Sequence, residues 1–216
     1  MQAGEENRSA SRAAVRVAAV VLAAGRSTRM GAQNKLLAEI GGKPMVRCVA
    51  ESALGSKARP VLVVTGHHAG DVAAALSGLG VILVANPDYA TGLASSLKAG
   101  IRALPAECEG ALVLLGDMPR ITSEHLGTLV DAFAAARDAI VVPVHEGRQG
   151  NPVLWPRRYF PELLQLEGDA GAKRLIATHW KRVLELDFGS EAPLVDVDTP
   201  EALRNVRGVA NKRQWW

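Results

Sequence analysis

Apolar positions along the 216-residue chain fall into short unbroken runs separated by stretches of helical period. The run VAAVVLA at 17–23 contains no polar position, as expected of a strand buried on both faces. Similar runs at 60–65, 81–85, 111–115 and 139–144 predict four further strands. Helices are predicted over 44–54, 71–76 and 92–103, and again where Ser123 precedes the stripe Leu126, Leu129, Val130 and Phe133. Pro44 suits a first helical turn, where its missing N–H has no partner to lose, and Ser123 supplies a cap. Strands alternating with helices of these lengths predict an α/β fold, a three-layer α/β/α Rossmann-like arrangement with a mostly parallel sheet.

Beyond about Val144 the pattern is less regular. It is punctuated by Gln149-Gly150-Asn151-Pro152, by the turn at 168–171, and by Asp196-Val197-Asp198-Thr199-Pro200. No repeat or low-complexity linker divides it, so 17–208 reads as a single domain between a polar leader at 1–16 and a tail at 209–216. Composition changes this picture little. Aromatics make up only 4% of the chain, which suits small side chains packed on a parallel sheet better than an all-β sandwich. A net charge of +3 calls for no nucleic-acid partner. No apolar run is long enough to span a membrane. Cys48 and Cys108 are too far apart for a zinc knuckle and too few for a disulfide scaffold, which points to a reducing, cytoplasmic setting. Cys48 reads as a small buried residue of a helix.

Candidate chemistry begins after the first strand, because ligands of open parallel sheets lie at the carboxyl ends of strands. Gly25 and Gly31 bracket Arg26 and Arg29, and Lys35 follows. Such a loop can offer backbone N–H groups, two guanidinium groups and an ammonium to a triphosphate. It is not a Walker loop, since five residues separate the glycines and Ala32 follows Gly31; the dinucleotide pattern Gly-x-Gly-x-x-Gly is also absent. On these residues alone, a tight turn with solvated basic side chains remains open beside the phosphate cradle.

The stretch LAAGRSTRMG at 22–31 with Lys35 resembles the signature of the MobA-like NTP transferases, Rossmann-like nucleotidyltransferases. The likeness runs from about Val17 to Val206. It continues in order through 86–97, Gly116-Asp117-Met118-Pro119, Gly150-Asn151-Pro152, 168–171 and 196–200. This resemblance implies a triphosphate site built from Leu22, Ala23, Ala24, Gly25, Arg26, Arg29 and Lys35, completed by Thr65, Gly66, Asn86, Ser95 and Ser96. It implies catalytic roles for Arg29, Lys35 and Asp117, and a Mg²⁺ ion on Asp117. A strand-end carboxylate fits that role, because nucleotidyl transfer concentrates negative charge on the α-phosphate and pyrophosphate.

Asp196 and Asp198 alternate with apolar neighbours and so face one side of an extended segment, as further metal ligands. Asp198 also fits as a cap for a helix from Pro200, which leaves Asp196 the better ligand candidate. Asn151 and Asp169 are the acceptor-substrate candidates, with Asp169 equally suited to capping the helix after it. Leu-Ala-Ala-Gly, where the guanylyltransferase branch usually reads Leu-Ala-Gly-Gly, together with 92–97, is similar to the cytidylyltransferase branch. The implied reaction is CMP transfer from CTP to molybdopterin, with a recipient molybdoenzyme or its chaperone as a further partner. A GTP-dependent guanylyltransferase, a sugar- or polyol-phosphate nucleotidyltransferase, an NAD(P)H oxidoreductase and a non-catalytic cofactor-delivery protein are the competing readings. His67 and His68 lack the convergent ligands of a zinc site and read as a loop beside the base pocket. Trp155 and Trp180 read as core fillers.

Overall fold

β1 (Val17–Ala23) is buried along its whole length, and its side chains alternate between two separate apolar cores. Val17, Ala19, Val21 and Ala23 face one core; Val20 and Leu22 face the other. A strand with two buried faces needs cover on both sides, so this alternation sets the three-layer architecture. The computed structural model describes residues 15–26, 34–169 and 171–213, the side chains of 209–213 excepted. Residues 1–14, 27–33, 170 and 214–216 lie outside the described residues.

After β1 the chain forms a small hairpin, β2 (Glu39–Ile40) and β3 (Lys43–Pro44), and then α1 (Met45–Gly55), β4 (Val61–Thr65), α2 (Ala69–Ala75) and β5 (Ile82–Ala85). It continues through α3 (Leu93–Arg102), β6 (Gly110–Leu115), α4 (Ser123–Ala135), β7 (Ile140–His145), β8 (Arg148–Gln149) and β9 (Val153–Pro156). The last elements are α5 (Phe160–Leu163), α6 (Lys173–Thr178), β10 (Val183–Asp187) and α7 (Pro200–Arg213). The main sheet runs β10-β7-β9-β6-β1-β4-β5, with β8 paired to β7. β1 pairs in parallel with β4 and β6, as does β4 with β5 and β10 with β7. One face is covered by α1 and α4 through Val46, Val49, Leu126 and Phe133, the other by α3, α5 and α6 through Leu97, Ile101, Leu163 and Ile176.

The five predicted strands and the four predicted helices are present, with shifts at their ends. Pro44 closes the hairpin β2–β3, and α1 starts one residue later. The cap of α4 is Thr122: its side chain accepts from His125 N, and His125 Nδ1 accepts from Thr122 N. The irregular second half supplies β9, which runs antiparallel between β6 and β7. α7 extends past 208 to Arg213. Trp155 is 1% exposed and belongs to the core, whereas Trp180 is 68% exposed and fills none. Cys48 is half-buried in α1.

The fit of α3 on the sheet depends on Gly100, where an added Cβ would lie 2.4 Å from Val20 Cγ1 and 3.2 Å from Val64 Cγ2. Both neighbours are β-branched and stiff, so neither can swing aside. Gly100→Ala gains up to about 1 kcal/mol in helix propensity, but overpacking costs about 1–3 kcal/mol. The expected result is a lower urea midpoint with an unchanged m-value.

Candidate active site

The carboxyl ends of β1 and β6 lie side by side, and the chain leaves each through a tight step. Gly116 N donates to Leu22 O at 3.0 Å, continuing the β6–β1 ladder one residue past the strand. A Cβ at Gly116 would meet that same Leu22 oxygen at 3.0 Å, so glycine permits the close approach that carries Asp117 over the strand ends. Val197 N then donates to Asp117 O at 2.9 Å. With Val197 fully buried against Ile40, Met45, Leu203 and Val206, the 196–198 segment is pinned beside Asp117.

Lys35 comes from a one-turn helix at Lys35–Leu37, whose start is fixed by Asn34 Oδ1 accepting from Leu36 N at 3.0 Å. Its ammonium donates to Asp117 Oδ2 at 2.5 Å and to Asp198 Oδ1, tying the two carboxylates together. The other oxygen of Asp117, Oδ1, is buried and has no hydrogen-bond partner among the described residues. Burial is the main reason the Asp117 carboxyl lies above the ordinary aspartate range; Lys35 opposes that rise, while Asp198 and Asp196 add to it. Burial likewise pulls Lys35 down, but Asp117 and Asp198 together outweigh it and hold the ammonium above the ordinary lysine value.

These groups line a cavity of about 390 Å³ together with Leu22, Ala24, Gly25, Arg26 and Ser96. Tyr89, Ala90, Gly92 and Leu93 at the entry to α3 complete the lining; the stretch from Gly92 was read from sequence as bearing on the base, whereas Tyr89 and Ala90 were given no role of their own. Arg29 lies outside the described residues. Ala23, Thr65, Gly66, Asn86 and Ser95 do not line the cavity but lie in the layer beneath it. Ala23 and Thr65 are buried strand residues, and Gly66 leaves room for Tyr89, whose Cβ would be 2.6 Å from an added Gly66 Cβ. Buried Asn86 donates to the hydroxyls of Ser95 and Ser96 at 2.9 and 3.1 Å, bracing the start of α3. His67 and His68 are also outside the cavity: His67 N donates to Ala24 O, and His68 pairs with Asp71.

Lys35 joins Asp198 to Asp117, and Asp196 lines the same cavity close enough to add to the rise of the Asp117 carboxyl; among the described residues no group of three carboxylate, imidazole or thiolate side chains gathers as a metal cage. The cap of α7 is Thr199, whose Oγ1 accepts from Ala202 N, and not Asp198. Asp169 Oδ1 accepts from Leu93 N at 3.2 Å and Gly168 O from Ala94 N at 3.0 Å, so Asp169 caps α3 from across the chain instead of its own helix. Asp169 and Asp196 sit where the first cavity meets a second of about 570 Å³, which Asn151 lines. The unpartnered Asp117 oxygen beside Asp198 offers hard anionic oxygen donors, the set that suits a small divalent cation with water completing its shell.

A folded-state Asp117 that binds its proton more tightly than the unfolded chain destabilises the fold as pH rises through the acid range. Lys35, also raised, contributes stability that is complete below its unfolded value and lost as pH rises through its folded value. In metal-free protein the urea midpoint is therefore expected to fall in both windows. Lys35→Met should abolish the alkaline step and deepen the acid one.

The MobA-like NTP transferase domain matches residues 19–183. Purine catabolism protein PucB of Bacillus subtilis is 34% identical over 205 residues, covering 87% of this chain and 94% of PucB. The bifunctional protein GlmU of Kineococcus radiotolerans is 39% identical over 132 residues, which cover 60% of this chain and only 27% of GlmU. The crystal structure of Rv0371c from Mycobacterium tuberculosis superposes with a TM-score of 0.81 at 28% identity, covering 90% of this chain and 99% of that one. Rv0371c has also been solved in complex with manganese, and that structure gives a TM-score of 0.75 at 26% identity. The cavity at the ends of β1 and β6 is thus set in a chain that belongs to the MobA-like NTP transferase family.

Proposed function

We propose that the chain is a divalent-metal-dependent nucleotidyltransferase that moves CMP from CTP to the phosphate of molybdopterin and releases pyrophosphate. The observation that carries this reading is the pairing of two carboxylates, one with a buried unpartnered oxygen, with basic groups around one cavity that opens into a second. Asp117 and Asp198 would hold Mg²⁺, with Asp196 close enough to add to the local negative charge. When bound, the ion supplies neutralisation of the phosphate oxygens at the reacting centre. The manganese complex of Rv0371c supports a divalent ion in a protein of this fold.

The chain's own residues then act by position and charge. Arg26 and Lys35 present cations to the triphosphate, and Arg29 joins them by its place in the motif. Lys35 also holds Asp117 and Asp198 in one orientation, which reduces the reorganisation needed when substrate enters. An oxygen of the acceptor phosphate attacks the α-phosphorus; a new P–O bond forms as the bond to the bridging oxygen breaks, and pyrophosphate leaves with that electron pair. The nucleophile is already anionic near neutral pH, so no serine, cysteine or histidine base is needed, and alignment carries the reaction. Ala24, in the cavity lining, stands where the guanylyltransferase branch usually has glycine, and this likeness to the cytidylyltransferase branch supports the smaller pyrimidine.

Purified protein with Mg²⁺ and each NTP in turn, assayed for pyrophosphate with and without molybdopterin, tests the assignment. Turnover is expected with CTP and only when molybdopterin is present. A preference for GTP would sink the base assignment, and equal turnover with a sugar phosphate would sink the acceptor. Asp117→Asn should keep the fold, measured by thermal unfolding, while lowering turnover by about 100-fold or more, the scale expected for losing a charged group at the reacting centre.

A further inference from the structure

The chain that carries Asp117 meets the chain that carries Asp196 and Asp198 at three points. Val197 N donates to Asp117 O at 2.9 Å. Further from the site, Arg120 Nη1 donates to a carboxylate oxygen of Glu191. Further still, the ring of His125 in the first turn of α4 stacks on Phe188, with centroids 4.7 Å apart and planes 15° from parallel. The partners rise along one segment as they fall along the other: 117 with 197, 120 with 191, 125 with 188. Residues 188–198 thus form an antiparallel strap laid along 117–125.

The two ends of the strap are anchored by packing. Val197 is fully buried, and Phe188 packs against the core while its N donates to Val144 O at 3.1 Å. Asn151 N also donates to Pro193 O at 2.9 Å, which ties the strap to the start of β9 but not to the chain bearing Asp117. Between the ends lies a cavity of about 620 Å³, lined by Arg120, Thr122 and His125 from one segment and by Phe188, Ser190 and Glu191 from the other. A segment beside open space takes less of its register from packing, and the Arg120–Glu191 pair is the ionic link across that space. Arg120 is only 22% exposed, Glu191 is its one hydrogen-bond partner among the described residues, and its Nε is buried with none. Holding a guanidinium there for one partner costs solvation, so stability alone gives no reason for it.

The strap works against a load. Asp196 and Asp198 both push the Asp117 carboxyl upward, as like charges pressed together do. Lys35 offsets that repulsion, but in the proposed reaction it also faces the triphosphate. Arg120 and Glu191 lie outside the cavity that Lys35 lines and have no such second duty.

We propose that Arg120 is a positioning residue: through Glu191 it fixes the register of the strap on 117–125, and so the spacing of Asp196 and Asp198 from Asp117. The consequence for cation binding rests on the reading of these carboxylates under the proposed function; the strap itself does not.

The test follows Mn²⁺ binding without nucleotide by calorimetry, and amide hydrogen exchange of Val197 in metal-free protein. Wild type is compared with Arg120→Met, Arg120→Lys, Glu191→Gln and the double variant Arg120→Met/Glu191→Gln. Because Glu191 is exposed, the link ranks between surface and buried ion pairs, and Arg120→Met is expected to weaken Mn²⁺ about 5-fold. Exchange at Val197 should quicken by a similar factor while the amides of β1 keep their protection. Arg120→Lys should restore most of both, and the double variant should be no worse than Arg120→Met, as for two groups acting as one link. Unchanged Mn²⁺ affinity and Val197 exchange in Arg120→Met, faster exchange throughout β1, or additive losses in the double variant would overturn the proposal. Wild type that binds no Mn²⁺ would overturn the cation site, while faster Val197 exchange in Arg120→Met would still uphold the strap. Mn²⁺ binding and exchange as described, without turnover of CTP, would leave the strap standing and overturn the transfer reaction instead.

Discussion

One ammonium shared by two carboxylates is the constraint around which the site is arranged. Asp117 is mostly buried, and a buried carboxylate raises the energy of its own charged form unless a partner compensates. Lys35 provides that compensation and extends it to Asp198, from a turn more than 160 residues away in sequence. Three separate pieces of chain must therefore meet within a hydrogen bond of one nitrogen. The fold meets this demand with backbone contacts: Gly116 against Leu22, Val197 against Asp117, and the Asn34 cap beneath Lys35. Each contact fixes a main-chain position, so the ionic cluster is preorganised before any ligand arrives.

Much of the fold was legible because a strand buried on both faces leaves an unmistakable sequence. The run at 17–23 has no polar position, and its odd and even residues divide cleanly between the two cores. β9 was illegible for the opposite reason: its four residues follow Pro152, end on Pro156 and carry no alternation, and only its neighbours β6 and β7 define it as a strand. The site was readable in its charged members. Arg26, Lys35, Asp117, Asp196 and Asp198 line one cavity, although the reading along the chain preferred Asp196 and it is Asp198 that Lys35 joins to Asp117. Its limits were harder to see, since Thr65, Gly66, Asn86 and Ser95 lie in the supporting layer and Tyr89 and Leu93 form the wall. A motif names the neighbourhood of a ligand; which member of it reaches the surface depends on packing that one strand's sequence does not encode.

Asp169 shows how packing can redirect a residue. Read along the chain, Asp169 fits equally a cap for the helix that follows it and a contact with the acceptor. In three dimensions the carboxylate instead meets the amide at the start of α3, and Gly92 has the left-handed backbone, with φ of 114°, that brings the two together. An added Cβ at Gly92 would lie 2.5 Å from the Gly168 carbonyl carbon, so the contact is closed to any other residue there. The turn at 168–169 is thereby held at the rim shared by the two cavities.

That shared rim bears on how a transferase can bring two anions into contact. Asp169 and Asp196 both face the junction, and neither has a cation at hand to neutralise it among the described residues. The cations of the two linings are Arg26 and Lys35 in the first cavity, with Lys35 bonded to Asp117 and Asp198, and Lys173 in the second. On the proposed transfer, two phosphate-bearing molecules would approach each other beside Asp117, Asp169, Asp196 and Asp198, and a cation held by Asp117 and Asp198 would relieve the repulsion between them. The buried oxygen of Asp117 that lacks a partner is the point at which that dependence is built into the fold.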